Sequence, residues 1–176
     1  KNREKGKNNM KLKKISYNSP AILTFTFLAF ASLILGYVTE MKSTWLLFTV
    51  YRDSLLNPLF YLRLFTHVLG HADLAHFTGN FMIILIIGPM LEEKYGSWNI
   101  SVIIVFTAFI TGIINVIVSP AGLLGASGVA FAFILLSSFG NIKEGKGIPL
   151  IAAVGFAYKV VSYTSDGGVP WLILLI

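Results

Sequence analysis

The sequence predicts an all-α membrane protein, a helical bundle with five spans and the start of a sixth. Its composition is the first reason, because 55% of the 176 residues are hydrophobic and only 12% are charged. The mean hydropathy is +0.74, and a soluble domain needs more charge than this to solvate its surface. The second reason is that apolar runs of nearly span length recur along the chain.

The chain opens with a basic tail, residues 1–19, which holds seven of the 14 lysines and arginines. By the positive-inside rule we expect this tail in the cytoplasm, so the protein would be a multi-pass protein of the cell membrane. A basic run can also bind nucleic acid, but this one has few aromatic residues and no folded scaffold. We therefore expect lipid, and no nucleic acid, as its partner. Residues 20–176 form the transmembrane domain.

The first span is predicted at residues 20–37, with Pro20 at the helix start. Residues 38–73 are rich in aromatic residues and include Arg52, Asp53 and Arg63, so this connection fits the membrane interface with its cations snorkelling to water. The second and third spans are predicted at residues 74–91 and 100–118.

The fourth helix, predicted at residues 128–139, is too short to cross a bilayer in contact with lipid. We expect it to be buried inside the bundle, reached by non-helical backbone that lines a cavity. A polar loop at 141–147, a fifth span at 148–163 and the opening of a sixth at 170–176 complete the prediction. Because successive spans cross the membrane in alternating directions from a cytoplasmic N-terminus, the second and fourth helices should start on the outer side.

Two polar side chains, His76 and Asn80, stand one helical turn apart near the start of the second span. Polar groups at such depth often mark functional sites. They are explained either by hydrogen bonds between helices or by a role as donors to a developing oxyanion.

Ser127 lies between Gly125 and Gly128 at the start of the short fourth helix. Small residues there also suit a close contact between membrane helices. However, the free N–H groups and the dipole of a helix start favour an anion, and the predicted depth matches that of His76 and Asn80. The pattern favours a serine nucleophile.

A metal site is the weaker interpretation of the three histidines. His67 and His71 have i, i+4 spacing, but no glutamate follows either as in a metalloprotease helix, and Asp73 is the only nearby carboxylate. The sequence has no cysteine. We expect neither a metal nor another cofactor.

These residues resemble the rhomboid family of intramembrane serine proteases. The resemblance rests on three groups, in order: Arg63-Leu64-Phe65-Thr66-His67 followed by His71, His76 and Asn80; then Gly88, Glu92 and Gly96; then Gly125-Ala126-Ser127-Gly128 followed by Phe131. Leu62 departs from the family, which often has tryptophan there.

The resemblance implies roles for these residues. Ser127 would be the nucleophile, and its backbone N–H would form an oxyanion hole with His76 and Asn80. His71 would be a supporting hydrogen-bonding residue, Glu92 would tie the cytoplasmic ends of helices together, and Phe131 would support the catalytic histidine. Substrates would be single-span membrane proteins, cut near the outer face.

The family's general base lies in an Ala-His-x-x-Gly-x-x-x-Gly pattern on the sixth helix, and no such pattern occurs up to Ile176. We expect that histidine beyond Ile176. The alternative is a catalytically inactive rhomboid-like protein that binds transmembrane clients. A small transporter is a third interpretation, but neither internal repeats nor charges within the spans support it.

Overall fold

The structure is a computed structural model that describes residues 19–142 and consists mainly of helices. The helices are, in order: α1 Pro20–Val38, α2 Lys42–Leu47, α3 Pro58–Thr66, a single 3₁₀ turn His67–Leu69, α4 Leu74–Tyr95, α5 Ser97–Val118 and α6 Ser127–Ile142. The predicted all-α bundle is thereby confirmed. The basic tail before residue 19, the fifth span and the start of the sixth lie outside the described residues.

Three of the described helices are long and apolar enough to cross a membrane: α1, α4 and α5. They correspond to the first three predicted spans. The prediction ended α4 too early, at residue 91, and began α5 too late, at residue 100. Helix α4 continues because Glu92 is buried and bonded, and Gly96 then separates the two helices with a φ of +84°, a left-handed conformation that costs glycine little.

Glu92 joins the end of α4 to the start of α1. Its two carboxylate oxygens accept the backbone N–H groups of Ala21 and Ile22 at 2.9 and 3.0 Å. These N–H groups have no partner within α1, because the first turn of a helix lacks acceptors for them. The negative charge also faces the positive end of the helix dipole. These contacts tie the end of α4 to the start of α1.

The interfacial segment, residues 39–73, folds into α2, α3 and the 3₁₀ turn. Helix α3 begins where the Asn57 side chain accepts the N–H of Leu59, with Pro58 at its first position. The prediction that the cations of this segment snorkel is wrong for Arg63, which is only 2% exposed. Its guanidinium is paired with Asp53 at 2.8 Å, so it stays buried.

Helix α6 packs against α4 and α5. Its buried face places Val129, Ala130 and Phe133 in the main hydrophobic core, which also contains Ile84 of α4. The predicted length of about a dozen residues was too short, because the helix has 16 and ends at Ile142, inside the predicted polar loop. At about 24 Å it is still shorter than a typical membrane span.

Candidate active site

The loop before α6 is pressed against the start of α4. Gly125 has a φ of +116°, and a β-carbon at this position would lie 2.8 Å from both Cε1 and Nε2 of His76. The same β-carbon would lie 3.6 Å from Nδ2 of Asn80. A side chain at position 125 would therefore collide with the His76 ring and strain the backbone. The chain needs glycine here for the loop to reach these two side chains.

The start of α4 fixes His76 and Asn80. Asp73 caps the helix by accepting the backbone N–H of His76 at 2.7 Å, as an N-cap aspartate does. His76 is half-buried in the first turn, and Asn80, one turn later, is buried. The structure thus brings His76, Asn80 and Gly125 together.

His71 connects the loop before α6 to the start of α4. Its Nδ1 lies 3.2 Å from the Leu69 carbonyl oxygen, which can only accept, so this nitrogen carries the proton. Its Nε2 is then an acceptor, 3.3 Å from Nδ2 of Asn80 and 3.4 Å from the backbone N of Ala126. One imidazole therefore contacts both a predicted oxyanion residue and the residue before Ser127.

The protonation of His71 follows from its surroundings. The side chain is 1% exposed, and its ring lies 5.2 Å from that of His76, centroid to centroid. Burial, and then the proximity of His76, lower the pKa of His71 to about 4. The ring is neutral at physiological pH, as its acceptor role requires.

His67, which the sequence analysis placed in the rhomboid-like run and weighed as a weak metal ligand, also holds the loop before α6. Its backbone carbonyl accepts the N–H of Gly125 at 2.9 Å. Its ring bonds the Arg63 carbonyl and the hydroxyl of Thr111, both at 3.2 Å. Of these contacts, the sequence could indicate only the one with Arg63, because His67 follows it by four residues, which is one helical turn.

Ser127 is the first residue of α6 and is half-buried. Within residues 19–142 its hydroxyl has no hydrogen-bond partner, and neither His67 nor His71 bonds it. Both ring nitrogens of His67 and His71 are already bonded.

Two neighbours of Ser127 fix the direction of α6. A β-carbon at Gly128 would lie 3.1 Å from the Thr111 methyl group, so α6 approaches α5 closely here. Phe131, one turn after Ser127, is 43% exposed among the described residues.

No group of three histidine, aspartate or glutamate side chains in the described part of the chain is placed to hold a metal ion.

Comparison with known families bears on this arrangement. The family profile described as the Rhomboid domain matches residues 59–164, more than half of the chain. This chain belongs to the rhomboid family. No curated protein matches it. The rhomboid match spans both the His71–Asn80 region and Ser127, and the family is one of intramembrane proteases.

Proposed function

We propose that this rhomboid is a serine endopeptidase that cleaves transmembrane segments of membrane proteins, with Ser127 as the nucleophile. The observation that carries the proposal is the approach of Gly125 to His76 and Asn80, since it gathers a serine and two polar donors at one end of the bundle. The proposal includes single-span substrates, cleavage near the outer membrane face and a cytoplasmic N-terminus.

In the proposed reaction, the Ser127 oxygen forms a bond to the scissile carbonyl carbon, and the carbonyl electron pair moves onto its oxygen. The Ser127 backbone N–H and the side chains of His76 and Asn80 donate hydrogen bonds to that oxyanion. Ser127 also stands at the positive end of the α6 dipole. The hydroxyl proton passes to a general base, which the resemblance to rhomboid proteases implies to be a histidine that rests on Phe131.

His71 has a supporting role in this proposal. Its neutral Nε2 accepts an N–H of the Asn80 amide, which orients the other N–H for the oxyanion. The same nitrogen faces the N–H of Ala126 and so steadies the residue before the nucleophile. His71 acts as a positioning residue rather than as a base.

The test is co-expression of the full-length protein with a tagged single-span substrate. Ser127→Ala should abolish cleavage, and His76→Ala or Asn80→Ala should each lower the rate by about 10²–10³. Thr78→Ala is the matched control on α4, because its hydroxyl bonds only its own helix, at the Leu74 carbonyl. Cleavage that persists in Ser127→Ala would overturn the assignment.

The inactive client-binding protein remains the second candidate, and the same experiment distinguishes it. It predicts that wild-type protein leaves the substrate intact, while the substrate co-purifies equally with wild type and Ser127→Ala. A fluorophosphonate probe adds a readout that is independent of substrate choice, because it labels only an activated serine.

A further inference from the structure

Ser32, a buried serine in the second half of α1, has a hydroxyl that reaches outside its own helix. Serine in a helix commonly bonds a carbonyl of the preceding turn, and the Ser32 hydroxyl does lie 2.9 Å from the Ala29 carbonyl oxygen. It also lies within hydrogen-bond distance of the Leu69 carbonyl oxygen, 37 residues away in sequence. Because carbonyl oxygens only accept, the two carbonyls share the single Ser32 proton.

The Leu69 carbonyl is the same group that fixes the His71 ring. Leu69 ends the 3₁₀ turn, where the last carbonyls lack partners within the helix. Its oxygen instead accepts from Nδ1 of His71 at 3.2 Å and from the Ser32 hydroxyl. A carbonyl oxygen has two lone pairs, so these two donors use its full capacity. Helix α1 thus reaches the His71 ring through a single backbone carbonyl.

The orientation of this carbonyl decides which ring nitrogen of His71 carries the proton. While Nδ1 donates to Leu69, Nε2 accepts the N–H groups of Asn80 and Ala126. If the carbonyl turned away, the proton would be free to move to Nε2, which would then be a donor facing the Ala126 N–H. That N–H would lose its acceptor, and the Asn80 amide would have to turn its oxygen toward the ring. The tautomer of His71 therefore links the Leu69 carbonyl to a predicted oxyanion residue.

We propose that Ser32 is a positioning residue for the candidate active site. Its hydroxyl holds the Leu69 carbonyl in place, and that carbonyl keeps the proton of His71 on Nδ1. The unprotonated Nε2 then orients the Asn80 amide. The consequence for cleavage rests on the proposed function, whereas the state of the His71 ring can be measured without any substrate.

The direct test identifies the protonated nitrogen of His71 by ¹⁵N NMR of the full-length protein in detergent at neutral pH. Wild type should carry the proton on Nδ1, and Ser32→Ala should move it to Nε2 in a detectable fraction of the molecules. Ser32→Thr, which keeps the hydroxyl, should retain the wild-type state. An unchanged ring in Ser32→Ala would overturn the proposal. A proton on Nε2 in wild type would overturn it too, whether or not the variants fold.

Two other hydroxyls of α1 provide matched controls. The Thr26 hydroxyl bonds a carbonyl of its own helix at 2.8 Å. The Tyr37 hydroxyl holds the same segment as Ser32 does, but at the backbone N–H of Leu74, 3.0 Å away, rather than at Leu69. Neither Thr26→Ala nor Tyr37→Phe should change the tautomer of His71. If Tyr37→Phe changes it as much as Ser32→Ala, attachment of the segment to α1 in general is responsible, and the proposal fails.

A double-mutant cycle on substrate cleavage tests the route through Asn80. Ser32→Ala should lower kcat by about tenfold with little change in KM, as expected when a group that orients a functional side chain is lost. In an Asn80→Ala background the same substitution should have little further effect, because the amide that it positions is gone. Losses that multiply would show that Ser32 supports only general stability and would overturn the proposal. Absence of cleavage by wild type would instead overturn the proposed function, and the NMR measurement would still decide the role of Ser32.

Discussion

Arg63 is the largest fully buried side chain among the described residues, and several partners compensate its charge. It forms an ion pair with Asp53 at 2.8 Å and donates from Nε to the Leu46 carbonyl at 2.8 Å. Its guanidinium carbon also lies 4.4 Å from the centre of the Tyr51 ring. A buried charge is tolerated only with such partners. Arg63 thus holds three parts of the interfacial segment together.

Replacing Arg63 with glutamine should destabilise the protein by about 3 kcal/mol, because Asp53 and the Leu46 carbonyl lose their donor. The midpoint of thermal unfolding in detergent measures this. Lys42→Gln is the control, since the ion pair of Lys42 with Glu40 is highly exposed and such pairs contribute little. Similar losses in both variants would contradict a special role for Arg63.

The two buried histidines outside the membrane-spanning helices predict that stability depends on pH. Burial lowers the pKa of both His67 and His71 to about 4 from 6.5. Between these values the unfolded chain binds more protons than the folded one, so stability is complete above pH 6.5 and falls as the pH drops toward 4. Each histidine contributes up to about 3 kcal/mol to this loss.

Thermal unfolding in detergent at a series of pH values from neutral to acidic checks this dependence. His71→Gln removes one titrating group and should flatten the curve, even though it also lowers stability at neutral pH by removing hydrogen bonds. An unchanged slope in this variant would mean that His71 is not the titrating group.

At the scale of the helices, the tie between α4 and α1 depends on a carboxylate. Glu92→Gln keeps the shape but removes the charge and one acceptor oxygen, so one N–H of Ala21 or Ile22 loses its partner. The expected loss of stability is about 1–3 kcal/mol. Glu93→Gln is a closely matched control, because Glu93 is adjacent and exposed. A loss of equal size in both variants would show that charge at this end, and not the tie, is responsible.

The helices themselves were largely predictable because hydrophobicity and the positions of proline and glycine are local signals. The bounds near Glu92 were not, since a charged residue ends an apolar pattern although its partners on α1 keep it in the helix. The same limit explains Arg63, whose partners Leu46 and Asp53 belong to another part of the interfacial segment.

Around the candidate site, too, the sequence could predict local relations but not long-range contacts. His76 and Asn80 share a helix face, so spacing alone relates them, and the glycines around Ser127 mark a sharp turn. The bonds from His67 to Gly125 and Thr111 span more than 40 residues of sequence, and no local pattern signals them.

At the scale of the whole molecule, hydrogen bonds from the interfacial segment position the loop that precedes Ser127. Val50 and Leu123 exchange backbone hydrogen bonds of 3.0 and 2.8 Å. Two residues later, Arg52 donates from Nε and Nη2 to the carbonyls of Val116 and Ile117, both at 2.8 Å, in the last turn of α5. These carbonyls have no partners within the helix. The loop is therefore fixed at its beginning by Arg52 and at its middle by Val50.

Arg52→Gln should loosen this loop without unfolding the bundle, because the Arg52 side chain is exposed and its partners can turn to water. Loss of its two charge-assisted bonds should speed hydrogen exchange at residues 119–126 by about tenfold, while the amides of α4 keep their rates. Arg52→Lys keeps the charge near the helix end but loses the fork of donors. Its exchange rate at residues 119–126 should therefore lie between those of wild type and Arg52→Gln. If exchange in the loop stays unchanged in Arg52→Gln, the bonds from Val50, His67 and His71 hold the loop without Arg52. If α4 exchanges faster as well, Arg52 stabilises the whole bundle rather than the loop.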